Sequence, residues 1–141
     1  MIPWKDTMQF SEPERLFKVW EYSRTHRTLL LRSDADITLK SRPRIELTAG
    51  HVQVMFLRSV MRGLTVRRVS SPVEAESLAG KYGITEDLDY MFLLDSPSGE
   101  GLLVSGNPSW AMAECPVDAP SFFSRVGETG LYADAVTGRI E

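Results

Sequence analysis

Two histidines, His26 and His51, and one cysteine, Cys115, are the side chains with which this sequence would carry out acid–base or nucleophilic chemistry. A Cys115 thiolate activated by either imidazole, with Asp34, Asp36 or Glu46 orienting the ring, would make a nucleophile–base–carboxylate set. The two histidines stand 25 positions apart, so only the tertiary fold would bring such a set together. The structural reading is stronger: a lone cysteine usually behaves as a small buried hydrophobe, and a lone histidine at a strand end sits in solvent.

His26, His51 and a carboxylate also have the donor types of a zinc or iron site. The short spacings that make two ligands converge on one strand or helix face are missing, so no metal and no other cofactor is expected. Asp34 with Asp36, and Asp87 with Asp89, share a face if extended and would suit a divalent cation; in their Ser, Asp and Glu context they read as turn residues. No glycine-rich phosphate loop or Gly-x-Ser-x-Gly elbow occurs.

The remaining chemistry lies in arginine. Arg24, His26, Arg27, Arg32, Lys40, Arg42 and Arg44 crowd a stretch of about twenty residues, and Arg58, Arg62, Arg67 and Arg68 form a second group. Guanidinium is suited to bidentate contact with carboxylate or phosphate. Residues 1–70 carry thirteen Lys and Arg against seven Asp and Glu, and residues 71–141 carry three against twelve, so the sign of charge reverses along the chain. From that asymmetry a basic surface that docks an acidic partner is expected, with attraction between the basic strands and the acidic C-terminal half acting either within one chain or across a dimer. The expected binding residues are Arg24, His26, Arg27, Arg32, Arg42 and Arg44, with no catalytic residue assigned.

The elements that must position these residues are mostly strands. Residues 16–22 and 28–32 combine aromatic, aliphatic and β-branched side chains around a polar turn and read as a hairpin. Further strands are expected at 36–40, 44–48, 51–58, 64–69, 88–94, 102–105 and 109–114, with reversals at 59–63 and 96–101. In the stretch 51–58, Val52, Val54 and Phe56 share a face and are expected in the core. Ser11-Glu12-Pro13-Glu14 reads as a turn.

One helix is expected over about 72–82. Ser71 is placed to cap it, Pro72 suits its first position, Glu74 completes a Ser-x-x-Glu capping box and Gly83 supplies a left-handed stop. Ala75, Leu78, Ala79 and Tyr82 recur with helical period, a stripe able to pack on a sheet. The expected fold is therefore mainly β (α+β): an antiparallel sandwich or barrel of about eight short strands with this helix capping it. Residues 1–141 read as a single domain whose last dozen or so residues are loosely held. Trp4 and the Phe122-Phe123 pair fall outside the periodic segments and read as docking or interface anchors.

Composition bounds the class. With 43% apolar and 25% charged residues the chain is that of a globular protein, and one cysteine makes an intrachain disulfide impossible. The first ten residues include Lys5 and Asp6 and do not read as a signal peptide, and no apolar run reaches membrane-spanning length. A cytoplasmic, non-membrane domain is expected, non-catalytic, acting through a protein partner or self-association as a homodimer. One alternative is a small enzyme using His26 or His51 as general base in a pocket of Trp20, Tyr22 and Phe56. Another is an anion or nucleic-acid binder working through the Arg24–Arg44 run. Nucleic acid is disfavoured by the overall charge of −3.

Overall fold

Alternation along the third strand shows how the sheet is built. Ile45, Leu47 and Ala49 are fully buried on one face, while Arg44, Glu46 and Thr48 take the other, because successive side chains point to opposite sides. The computed structural model describes residues 9–34, 43–86, 90–123 and 135–141. Within them the chain forms β1 (Gln9–Ser23), β2 (Thr28–Ser33), β3 (Arg44–Ala49), β4 (Val54–Phe56), β5 (Val60–Arg68), α1 (Pro72–Tyr82), β6 (Met91–Ser96), β7 (Gly99–Val104), β8 (Ser109–Ala113) and β9 (Val136–Arg139). The nine strands make one antiparallel sheet in the order β4-β7-β6-β5-β1-β2-β3-β8-β9. The fold is mainly β with a single helix among the described residues.

Connectivity forces this sheet to coil. β3 and β4 are six places apart in the order, about 29 Å in a flat sheet. The chain from Ala49 to Val54 covers at most about 18 Å. The sheet therefore curls until the 50–53 connection reaches across its mouth. There the Val52 amide donates to the Arg27 carbonyl (3.0 Å), the Gln53 amide to Val104 (2.8 Å) and the Gly106 amide to Gly50 (2.9 Å). No strand ladder joins β3 to β4, so the barrel stays open and the architecture is sandwich-like. Phe10 on β1 meets Trp110 on β8 at 5.7 Å between ring centroids, although three strand spacings separate their strands in the order.

The concave face encloses the larger core, including Phe17, Leu29, Leu31, Leu47, Phe92, Leu103 and Ile140. The outer face has two coverings. Over β5, β6 and β7 lies α1, whose Ala75 and Leu78 pack with Met91, Leu93, Leu102 and Val104. Over β3 lies the irregular segment 114–123, held by polar contacts. No described helix is long and apolar enough to cross a membrane.

α1 forms for the reasons its sequence states. The Ser71 hydroxyl accepts from the Glu74 amide (3.3 Å), Pro72 opens the helix and Gly83 closes it at φ 68. The second arm of the capping box is diverted: the Glu74 carboxylate is gripped by Arg67 of β5 through two hydrogen bonds of 3.0 and 2.7 Å.

Several expectations are corrected. The stretch 51–58 yields only the three-residue β4, and His51, in a left-handed conformation (φ 52), cannot belong to an extended run. Val52 is buried as expected, but Phe56 is 43% exposed. The reversal expected at 59–63 comes earlier, since β5 already begins at Val60. β1 runs back to Gln9 through the supposed turn at 11–14, where a bulge between Glu12 and Leu16 absorbs Pro13. Gly63 faces that bulge at φ 77, and a Cβ there would lie 2.5 Å from the Pro13 carbonyl oxygen. Of the last dozen residues, those described include β9 and the fully buried Ile140. The expected strand at 36–40 lies outside the described residues.

Candidate functional site

β2 divides the arginine-rich run. Arg24, His26 and Arg27 occupy the β1–β2 turn and are exposed, whereas Arg32 and Arg44, at the far end of β2 and β3, are 5% and 2% exposed. Arg27, just before β2, and Arg32 are five residues apart, roughly 17 Å along the strand, so the two groups do not form one patch. Arg42 and Lys40 lie outside the described residues, as do Asp36, Asp87, Asp89 and Trp4.

Arg32 and Arg44 are spent inside the molecule. Arg44 donates to Glu46 (3.1 Å) and to the carbonyls of Pro116, Val117, Ala119 and Pro120 at 3.0 to 3.1 Å. Glu46, fully buried, accepts from the Ser121 hydroxyl (2.6 Å) and the Phe122 amide (2.9 Å). Arg32 donates to Asp34 (2.7 Å) and to the Val117 carbonyl (2.7 Å). Arg15, buried beside them, donates to Ser33 and to the carbonyls of Asp34 and Pro43. These contacts form a latch that fixes segment 114–123 on the sheet. The docking role read for Arg44 is corrected accordingly, since its guanidinium faces carbonyls of its own chain. Phe122 and Phe123 belong to the same latch and are half-buried.

The nucleophile set is not assembled. Cys115 follows β8 at the Arg44 end of β3, while His51 lies past the other end of that strand, roughly 17 Å along. His26 belongs to the His51 end, where its neighbour Arg27 bonds Val52. Burial pushes the Cys115 thiol up from its ordinary value, which keeps it protonated at neutral pH. Asp34 and Glu46 hold arginines instead of orienting an imidazole. Trp20, Tyr22 and Phe56 do not share a pocket: Trp20 lies under Arg32, and Phe56 packs on Tyr82 at 5.0 Å. Among the described residues no group of three or more His, Cys, Asp or Glu is placed to hold a metal ion.

What the fold does assemble is a surface on the outside of β1 and β5. The register pairs Leu16 with Arg62 and Lys18 with Val60, placing all four on the outer face, while Phe17 and Met61 between them point into the core. Trp20 follows Leu16 and Lys18 on this face by alternation, is the extra residue of a bulge between Val19 and Glu21, and is 48% exposed. The Arg32 guanidinium stacks 3.9 Å from the centre of its ring and holds the indole against the sheet. Beside it opens a pocket of about 290 Å³ whose charged walls are Arg15, Lys18, Arg32 and Arg62 against Glu14 and Asp34. Val60, 46% exposed, adds an apolar flank. Alternation along β1 puts Trp20 on the face of Leu16 and Lys18, but nothing in the local sequence marks that face as the outer one, and neither Lys18 nor Val60 stands out in the sequence.

Comparisons with protein-family models, with curated proteins and with solved structures found no match for this chain.

Proposed function

We propose that this protein is a non-catalytic interaction domain that docks an acidic, apolar-tipped segment of a protein partner on the outer face of β1 and β5. The observation that carries the reading is Trp20, half exposed and braced by the buried Arg32 next to a pocket with four cationic and two anionic walls. Tryptophan and arginine dominate the energetics of protein interfaces when they are rigid and can be desolvated together. Trp20 and Val60 supply the apolar centre. Lys18 and Arg62, both exposed, supply a rim that attracts carboxylates. An acidic part of a second copy satisfies the same chemistry, which makes homodimerisation one form of the proposal. The domain needs no cofactor for this role, and its single cysteine suits the reducing cytoplasm where we place it.

The test uses the full chain with a Glu-rich peptide carrying one Leu, followed by sedimentation of the protein alone. Saturable binding, or self-association, that weakens about tenfold or more in Trp20→Ala and in Arg62→Glu and falls with salt supports the reading. Absence of both, or affinities untouched by the two substitutions, overturns it.

A further inference from the structure

At the end of the sheet remote from the latch, the β1–β2 turn and the 50–53 connection are joined by the Val52–Arg27 hydrogen bond. Each contains a non-glycine residue in the left-handed region, Arg27 at φ 50 and His51 at φ 52. Such residues cost on the order of 1 kcal/mol each and recur where a fold must present particular side chains. Two depressions open beside them. The first, about 480 Å³, is bordered by Tyr22, Arg24, Arg27 and Glu86, and the second, about 210 Å³, by His51, Tyr90 and Ser105. Gln53 borders both, so the two depressions adjoin at that side chain and make up a groove in two parts at the mouth of the coiled sheet.

We propose that this groove binds a nucleotide, a planar base carrying a phosphate. Arg24 and Arg27, both exposed, offer guanidinium forks to a phosphate at the first depression. Tyr90 is 47% exposed, with the Arg68 guanidinium 5.2 Å from its ring centre, and presents a π surface for a base at the second. Gln53 carries both a donor and an acceptor at the junction, the pair needed to read one edge of a base. The Glu86 carboxylate, on the wall of the first depression, accepts from a ribose hydroxyl. A volume of several hundred Å³ is that of ordinary small-ligand sites. The groove lies on a different face from Trp20 and is independent of the docking proposal.

Free mononucleotides and single-stranded nucleic acid share this chemistry, and the test separates them. The full chain is titrated with adenosine monophosphate, adenosine, inorganic phosphate and a six-residue oligothymidine by calorimetry and amide chemical shifts. Adenosine monophosphate is expected to bind about tenfold or more tightly than adenosine or phosphate alone, shifting Arg24, Arg27, Gln53 and Tyr90. Binding is expected to fall about tenfold in Arg24→Ala with Arg27→Gly, a pair that removes both cations while glycine keeps the left-handed turn. Tighter binding of the oligomer than of the mononucleotide would assign the groove to single strands, and the reverse to free nucleotides. No saturable binding of either at millimolar concentration, or binding unchanged in the double variant, would overturn the proposal.

Discussion

The outer face of one sheet is covered in two ways, and the contrast shows what each kind of cover demands of the strands beneath. Under α1 the outward residues are apolar: Met91 and Leu93 on β6, Leu102 and Val104 on β7. A helix satisfies its own backbone hydrogen bonds, so it has only side chains to offer, and most of its hold comes from an apolar stripe. Under segment 114–123 the outward residues are Arg32, Arg44 and Glu46. An irregular segment keeps carbonyls and amides that must find partners when buried. Arg44 takes four of those carbonyls, and Glu46 takes the Phe122 amide. The helix is held by area, the segment by geometry.

The latch should therefore be the more brittle of the two. Arg44→Met removes the cation beside the fully buried Glu46 and one donor from each of four carbonyls, of which Val117 keeps Arg32 and Pro116 keeps the Ala119 amide. Breaking a buried pair from one side costs about 3–5 kcal/mol, which urea unfolding would read directly. Replacing both partners, as Arg44→Met with Glu46→Leu, should recover part of that loss. A single-variant loss below about 1 kcal/mol would mean that packing holds the segment and that the ion pair is incidental.

The helix side should break more softly. Leu78→Ala trims the stripe at a position that is 8% exposed, so the loss should fall near the lower end of the 2–5 kcal/mol range, at about 2 kcal/mol. Amide exchange sharpens the comparison. Leu78→Ala should speed exchange in α1 and leave 114–123 protected, and Arg44→Met should do the reverse. Equal acceleration of both regions by either substitution would show that the two coverings open as one unit.

The same contrast explains what could be read in the sequence. α1 was legible because its cap, its stop and its stripe all lie within thirteen residues of one another. The β6–β7 and β1–β2 hairpins were legible because strand and turn signals are local. The latch was not: Arg44 and its Pro116 carbonyl are 72 positions apart, and a backbone carbonyl carries no residue signature. Charge at alternate positions along β3, and at Arg32 near the end of β2, reads as a solvated face, which is why both arginines read as docking residues in the sequence. β9 was hidden by Gly138, whose lack of a side chain reads as looseness; a Cβ there would lie 2.5 Å from the Trp110 ring. Trp20 shares the face of Leu16 and Lys18 by alternation, but no local signal marks that face as the outer one.

The smallest expected effect is one of pH, and it too falls on one covering. The hydrogen bonds from Arg67 hold the Glu74 carboxyl below its ordinary 4.5, and the Tyr82 hydroxyl, followed by Lys81, does the same for Glu100. A carboxyl whose folded value is depressed contributes stability that is present above its ordinary value and is lost as pH falls through the folded one. Both pairs tie α1 to the sheet, Glu74 to β5 and Glu100 of β7 to the end of the helix. Acid below about pH 4.5 should therefore loosen α1 first. The Arg67–Glu74 pair is more than a third exposed, which confines its share to a fraction of about 1 kcal/mol and makes it sensitive to salt. Opening free energies of the α1 amides measured from pH 6 down to about pH 3 should decline, and the decline should be shallower in Glu74→Gln. A profile identical in that variant would remove the Arg67–Glu74 pair from the account and leave the Glu100 contacts and the apolar stripe to hold the helix.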